Sequence, residues 1–338
     1  VQSITRKLRS DMERLSAIIE RFENLSRNYS SDDVVEKFRR TGKENTLFVF
    51  MEGVIERLRQ LNHSGTAKNY SAALGSFKRF RNNEDIQMEA IDHILMEDYQ
   101  AYLASLGVVP NSISFYMRIL RAVYNRAVEQ ELTIDRNPFR TVFTGVEKTR
   151  KRAISISDIK RIRDLDLSLK PNLEFARNLF LFLFLCRGMS FIDAAFLKKS
   201  DIQSGILTYR RHKTNQVLHI KIIKPIKELV DRYSSNDSPY LLPIITRPHC
   251  DERRQYETAL RRVNKSLKTI AGMVKLPIPL TTYVSRHAWA TIAKSKNIPV
   301  NVISDALGHD SIATTQIYLA SIDTSTIDRA NELIIKDL

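Results

Sequence analysis

Cysteine and glycine are scarce in this 338-residue chain, which contains two cysteines and 10 glycines. Cys186 and Cys250 alone cannot form a disulfide framework or a four-ligand zinc site, and so little cysteine fits a reducing cytoplasm. We also find no glycine-rich phosphate-binding loop and no group of carboxylates spaced to hold two magnesium ions. These absences are consistent with chemistry that uses neither a metal ion nor ATP.

Long hydrophobic runs are also missing. The longest extends over eight residues, from Leu179 to Cys186, whereas a membrane-spanning helix needs about 20. The N-terminus carries charges throughout, so we expect no signal peptide. These features predict a protein without a membrane partner.

Positive charge is what the chain has in excess. Its 53 Lys and Arg residues against 38 Asp and Glu residues give a formal net charge of +15 and a pI near 9.8. A pI above about 9 is typical of proteins that bind the phosphate backbone of nucleic acids. The alternative is a basic surface that only keeps the protein in solution.

The chain is long for a single core, and its patterns predict two domains. Residues 1–40 form a charged N-terminal segment with a helical pattern. Residues 41–136 contain four helical patterns with basic faces, which predict a compact DNA-binding bundle, unless those charges only solubilise it. Residues 137–155 are basic and lack apolar periodicity, which indicates a linker. Residues 156–338 form the second domain with its C-terminal tail.

The second domain is predicted to be mainly helical with a small antiparallel β-sheet. The run that begins at Leu179 is apolar on all sides, so this helix should be central and buried. Two β patterns, at 206–209 and 217–222, flank residues 210–216 and predict a hairpin.

Three residues are predicted to cap helices. Asn111 and Ser157 have side chains typical of N-caps, and each precedes a helical pattern. Gly308 follows another helical pattern and should end that helix as its C-terminal cap.

Six residues of the second domain have side chains suited to attack on a phosphodiester: Arg187, Lys213, Tyr283, Arg286, His309 and Tyr318. Arg187 ends the apolar run, where a charge is costly unless it is paired or meets a ligand. We expect Asp193, six residues further on, to hold its guanidinium. Taken singly, several have ordinary explanations: an ion pair for Arg187, a solvated turn for Lys213, a helix cap for His309 and a core position for Tyr318.

The order and spacing of these residues are more specific than any one of them. Leu307-Gly308-His309 is followed nine positions later by Tyr318, and an upstream block reads Tyr283-Val284-Ser285-Arg286-His287. Over roughly residues 44–338 the chain resembles the tyrosine recombinase (phage integrase) family, in particular integrases of bacterial mobile elements. The resemblance implies a SAM-like helical core-binding domain followed by a catalytic domain of α+β type.

The resemblance also implies a role for each residue. Tyr318 would be the nucleophile and His309 the second histidine of the family. Arg286 would be one of two arginines that grip the scissile phosphate, with Arg187 as the candidate for the other. Lys213 would be the hairpin lysine that protonates the leaving oxygen.

The sequence departs from the family pattern at two positions. Tyr283 stands where the family usually has a histidine, and it becomes a candidate catalytic residue in its place. Ser190 stands where the family has its first arginine. Arg187 lies three residues earlier, about one helical turn away if the preceding helix continues.

The function implied by the resemblance is site-specific recombination, in which DNA is cleaved and rejoined through a 3′-phosphotyrosine. The implied partners are double-stranded DNA, a homotetramer with one dimer per site, and accessory DNA-bending proteins. Residues 1–40 would be the remnant of an arm-binding domain, and the protein would work in the bacterial cytoplasm with the nucleoid. Two alternatives stay open: a type IB topoisomerase-like nicking–closing enzyme, and a non-catalytic DNA-binding regulator.

Overall fold

The fold is mainly helical, with one three-stranded antiparallel sheet. The structure is a computed structural model, and it describes residues 2–24, 29–35, 38, 45–147, 153–234, 238–312 and 315–316. The chain divides into two compact units, Val1–Thr149 and Arg150–Leu338. The predicted fold class is therefore confirmed. Within the described ranges, no helix has both the length and the apolar character to cross a bilayer.

The first unit is built from helices that bury aromatic side chains. Its long helices are α1 (Gln2–Asn24), α2 (Leu47–Gln60), α3 (Ser64–Phe80), α4 (His93–Ser105) and α5 (Pro110–Glu129), and a 3-10 helix spans Met88–Ala90. Phe77 of α3 and Tyr99 of α4 are fully buried, and their ring centroids lie 4.9 Å apart, edge to face. The Tyr99 hydroxyl donates to Ser76 Oγ at 2.8 Å, which satisfies a polar group inside an apolar core.

The start of α5 differs from the prediction. Pro110 occupies the first turn and Val109 is the N-cap, so the assignment of Asn111 as the cap is wrong. Asn111 instead holds the segment that follows the bundle: its Nδ2 donates to Glu147 O at 3.0 Å, and its Oδ1 accepts from Glu147 N at 2.8 Å.

The first part of the predicted linker is anchored to the helical unit by two buried side chains. Phe139 and Val142 are buried in the same core as Phe77 and Tyr99. Residues 137–147 therefore belong structurally to the helical unit, although most of them are exposed.

The second unit surrounds a buried helix, as predicted. Its elements are α6 (Ile156–Arg163), α7 (Pro171–Leu185), α8 (Phe191–Ala195), β1 (Ile202–Gln203), β2 (Ile206–Arg210), β3 (Val217–Lys221), α9 (Lys224–Tyr233), α10 (Glu252–Met273), α11 (Thr282–Ser295) and α12 (Val300–Leu307). Helix α7 packs against α6, α9, α10 and α11, and Phe180, Phe182 and Leu183 along it are buried. Because α7 contacts so many elements, it needs apolar side chains on every side.

The sheet has the order β1-β2-β3, with all pairs antiparallel. Leu207 pairs with Ile220, and both side chains face the core. Arg210 pairs with Val217, so residues 211–216 form the hairpin turn that the sequence predicted. The register places the buried residues of β2 on one face and projects the turn beyond the core.

Two helix caps predicted in the second unit can be compared with the structure. Ser155, not Ser157, caps α6: Ser155 Oγ accepts from Asp158 N at 3.1 Å, and Asp158 Oδ2 accepts from Ser155 N at 3.0 Å. The prediction for Ser157 is therefore wrong by two residues. Gly308 ends α12 with φ 62° and ψ 48°, which confirms that prediction because this left-handed conformation favours glycine.

Candidate active site

Arg286 is a buried cation at the centre of the candidate site. It lies on α11 and is only 3% exposed. Its Nη1 donates to Gly188 O at 2.9 Å, and its Nη2 donates to Leu307 O at 2.5 Å. These carbonyl acceptors lie after α7 and at the end of α12. The guanidinium thus joins three segments that are distant in sequence, and its hydrogen bonds offset part of the cost of burying a charge.

Gly188 is required for this arrangement. Its φ is +70°, and a Cβ built there would lie 2.7 Å from Arg286 Cα. A side chain would therefore collide with the backbone of α11 and strain the loop at the same time. The loop can approach α11 closely enough to accept from Arg286 only because this position has no side chain.

Arg211 is a second buried arginine, and the sequence reasoning missed it. It opens the hairpin turn, is 6% exposed, and donates from Nη1 to Gly308 O. Its Nε is buried and has no hydrogen-bond partner among the described residues. Its only signal in the sequence is its position two residues before Lys213. Because several basic residues stand together there, the pattern is also typical of a solvated turn.

The hairpin turn docks on the end of α12. Thr214 Oγ1 donates to Gly308 O at 3.0 Å, and Gln216 Nε2 donates to His309 O at 3.3 Å. A Cβ on Gly308 would lie 3.0 Å from Leu218 Cδ1, so glycine again permits the close approach. Lys213, exposed in this turn as predicted, is thereby brought to the same region as His309.

His309 is half-buried in a cationic environment. Its Nδ1 lies 2.8 Å from Thr315 Oγ1, a contact whose donor depends on the tautomer. Burial, as the largest cause, and the charges of Arg286, Arg211 and Lys213 together lower the pKa of His309 from 6.5 to about 4. The imidazole is therefore neutral at pH 7, and one ring nitrogen is a hydrogen-bond acceptor.

Arg187 does not make the contact that the sequence suggested. Helix α7 ends at Leu185, and Arg187 adopts a left-handed conformation with φ 60°, so the helix does not continue through it. The carboxylate of Asp193 binds His212 and Ser190, not Arg187. The predicted Arg187–Asp193 pair is wrong because the turn after α7 redirects the chain. The Arg187 side chain is half-buried beside Gly188 and stays a candidate.

Ser190, at the position where an arginine was expected, has a structural role. It is the N-cap of α8, and its Oγ donates to Asp193 Oδ2 at 2.6 Å. The short side chain folds back on its own helix and therefore supplies no charge to the site.

Tyr283 lies three residues before Arg286 on α11, but unlike Arg286 it is not buried. Its side chain is 52% exposed, and its ring is 4.7 Å from that of His287, edge to face. Tyr318 lies outside the described residues. The structure thus brings Arg286, His309 and Lys213 together, adds Arg211, and leaves Tyr283 at the surface. In the described part of the chain, no three His, Cys, Asp or Glu residues are grouped to hold a metal.

Comparisons with known sequences cover both units. The model of the phage integrase SAM-like domain matches residues 46–147, and the model of the phage integrase family matches residues 157–324. Tyrosine recombinase XerA of Pyrococcus furiosus is 27% identical over 244 residues, covering 70% of this chain and 79% of the relative. Tyrosine recombinase XerC of Syntrophus aciditrophicus is 26% identical over 277 residues, covering 75% and 86%.

Solved structures show the same fold. A lambda integrase dimer bound to a COC′ core site has a TM-score of 0.61 at 18% identity, covering 90% of this chain and 85% of that one. The Tn1549 transposon integrase in complex with a circular intermediate DNA has a TM-score of 0.60 at 14% identity, covering 84% and 98%. Because the two domain models account for most of both units, the chain belongs to the phage integrase family, whose members are tyrosine-type site-specific recombinases.

Proposed function

We propose that this protein is the integrase of a bacterial mobile element, which cleaves and rejoins double-stranded DNA through a 3′-phosphotyrosine on Tyr318. The observation that carries the proposal is the cationic pocket in which Arg286 and Arg211 are buried beside a neutral His309. Such a pocket suits the negative charge that builds on a phosphodiester under attack. Preorganised donors of this kind often supply the largest single contribution to catalysis.

The two guanidinium groups would grip the non-bridging oxygens of the scissile phosphate. Arginine suits this task because it is always charged and donates in a planar fork. Arg211 is the better candidate for the second arginine than Arg187, because its buried Nε has no partner among the described residues and so has a donor to offer. Ser190, which caps α8, leaves the family position without a cation, and Arg211 would supply the charge from the hairpin.

The cleavage step moves two protons. Tyr318 Oη bonds to phosphorus, its proton passes to the neutral His309, and the bond from phosphorus to the 5′ oxygen breaks. Lys213 donates a proton to that oxygen. Nearby guanidinium groups assist because they favour a phenolate over a phenol whose pKa is about 10.

Rejoining reverses these transfers when a 5′ hydroxyl attacks the phosphotyrosine. The phosphate bond energy is conserved in the covalent intermediate, so the cycle needs neither ATP nor a metal. Tyr283 would donate a hydrogen bond from its exposed hydroxyl to the bound phosphate.

The first unit would hold the duplex. Arg118, Arg121 and Arg126 are exposed on α5, where their cations can reach the phosphates of a duplex. A lambda integrase has been solved as a tetramer bound to a Holliday junction, with a TM-score of 0.61 to this chain. We propose the same homotetramer here, with one dimer per site, accessory DNA-bending proteins, and action on DNA of the bacterial nucleoid.

The deciding experiment uses a nicked suicide substrate that carries the cognate core site. Wild-type protein should become covalently linked to the DNA, and Tyr318→Phe should bind equally well but form no adduct. An adduct with the Phe variant would refute the assignment of the nucleophile. With two intact sites, recombinant products rather than relaxation alone would exclude the nicking–closing alternative, and adduct formation would exclude the non-catalytic regulator.

The choice between Arg211 and Arg187 has its own test. Arg211→Ala should lower the rate of cleavage by about 10²–10³-fold, the cost of removing one preorganised donor. Arg187→Ala serves as the matched control and should have a much smaller effect. If Arg187→Ala slowed cleavage more than Arg211→Ala, Arg187 would be the second arginine that grips the phosphate.

A further inference from the structure

One contact at the hairpin has no role in the chemistry proposed above. His212 N donates to Asp193 Oδ1 at 2.9 Å, and His212 Nδ1 lies 3.2 Å from the same oxygen. Asp193 is 2% exposed, whereas the His212 side chain remains 40% exposed. A buried carboxylate thus holds a residue of an otherwise exposed turn by both its backbone and its ring.

The carboxylate is itself fixed. Its Oδ2 accepts from Ser190 Oγ at 2.6 Å at the start of α8. Burial raises the pKa of Asp193, but the hydrogen bonds from His212 and Ser190 outweigh burial and leave the pKa below 3.8. The group is therefore ionised at neutral pH, and a charged acceptor makes the stronger hydrogen bond.

The imidazole has a second contact that fixes its orientation. The ring of His212 lies 5.2 Å from the ring of Phe196, which follows α8 directly. Hydrogen bond and ring contact both come from the same short stretch of chain, residues 190–196. The base of the turn is therefore attached to α8 on one side and to Gly308 on the other, through Thr214.

We propose that His212 is a positioning residue, which holds the hairpin turn against Asp193 so that its neighbour Lys213 reaches the leaving 5′ oxygen. Consecutive Cα atoms are about 3.8 Å apart, so a tether at His212 restricts Lys213 directly. Lys213 is exposed and cannot be located by packing of its own. This inference rests on the proposed function, in which Lys213 is the proton donor.

The experiment separates a positioning role from a general loss of structure by changing the leaving group. In a suicide substrate with sulfur in place of the bridging 5′ oxygen, the departing thiolate needs no proton donor, because a thiol has a pKa of only about 8.5. On the ordinary oxygen substrate, His212→Ala should cleave about 10–100-fold more slowly, the size expected for a misplacement of about 1 Å. On the sulfur substrate, His212→Ala and Lys213→Ala should both approach the wild-type rate.

A control and a conservative variant complete the design. His219→Ala removes another exposed histidine of the hairpin, one that contacts Thr208 Oγ1 at 3.0 Å instead of Asp193, and should cleave both substrates normally. His212→Asn keeps a nitrogen donor near Asp193 and should recover much of the lost rate. Asp193→Asn weakens the same tether from the other side, so it should show the same sulfur rescue.

Each failure has a distinct meaning. If His212→Ala is equally slow on both substrates, or slow on neither, the positioning role is overturned while the proposed function stands. If the sulfur substrate does not restore cleavage by Lys213→Ala, Lys213 is not the proton donor. The positioning role of His212 is then wrong as well. If wild-type protein forms no adduct with either substrate, the proposed function itself is wrong.

Discussion

The two units of this protein bury different kinds of side chain. In the first, the interior around Phe77 and Tyr99 is aromatic and apolar, and its buried polar side chains are uncharged, such as those of Ser76 and Asn45. In the second, the ionised side chains of Arg286, Arg211 and Asp193 lie within the fold and bind loop carbonyls or hairpin groups. The contrast shows that the helical unit is organised by packing, whereas the catalytic unit is organised by what its buried charges can bind.

The contrast is most strongly tested by Phe77→Ala. Removing this ring should lower the free energy of unfolding of the first unit by about 3–5 kcal/mol, because the aromatic cluster cannot collapse around the cavity. Hydrogen exchange of α2 to α5 measures the loss, while α7 and α11 should keep their protection. Val49→Ala, at a position on α2 that is 49% exposed, is the control and should change little. Equal loosening of both units would contradict a role for Phe77 that is confined to the first unit.

Arg286→Lys is the corresponding change in the catalytic unit. Lysine keeps the charge but cannot bind Gly188 O and Leu307 O with a planar fork, so cleavage should fall by about 10²–10³-fold, or roughly 3–4 kcal/mol. Suicide-substrate cleavage and a DNA-binding assay measure the two effects separately, and binding should persist. Arg253→Lys, on the exposed part of α10, is the control. Normal cleavage by Arg286→Lys would show that charge alone is sufficient.

The pH response of stability should separate the units further. Because the folded pKa of His309 is about 4 against 6.5, the unfolded chain binds the proton more readily, and stability is lost as the pH falls through this window. The loss should reach about 1–2 kcal/mol at pH 5 for a half-buried group. Denaturation at pH 7 and pH 5 measures it. His309→Asn should flatten the response and His219→Asn should not; an unchanged slope in His309→Asn would contradict the assignment.

The smallest expected effect concerns a helix cap. Ser155→Ala should destabilise α6 by about 1 kcal/mol, since it removes the acceptor for Asp158 N. Ser157→Ala, two residues further on, should cost less because Ser157 accepts nothing from the helix backbone at its start. Thermal denaturation of the two variants compares them directly. A larger loss of stability in Ser157→Ala than in Ser155→Ala would show that Ser157 is the cap, as the sequence pattern predicted.

Features that depend only on neighbouring residues could be predicted from the sequence. The apolar run from Leu179 predicted a central helix because the pattern and the burial belong to the same residues. Gly308 was predictable for the same reason, since its conformation depends on adjacent residues. The role of Arg211 was not, because its acceptor lies at Gly308, 97 residues away. The Arg187–Asp193 pair failed because the turn after α7 depends on Gly188 meeting α11, which no local pattern reports.

Both buried arginines lie against a glycine. A Cβ on Gly188 would lie 2.7 Å from Arg286 Cα, and a Cβ on Gly308 would lie 3.2 Å from Arg211 Cδ. The two glycines thus let backbone and arginine pack closely at both places. Alanine at Gly188 would push against the backbone of Arg286, and alanine at Gly308 would crowd the side chain of Arg211, although no charged residue had been changed.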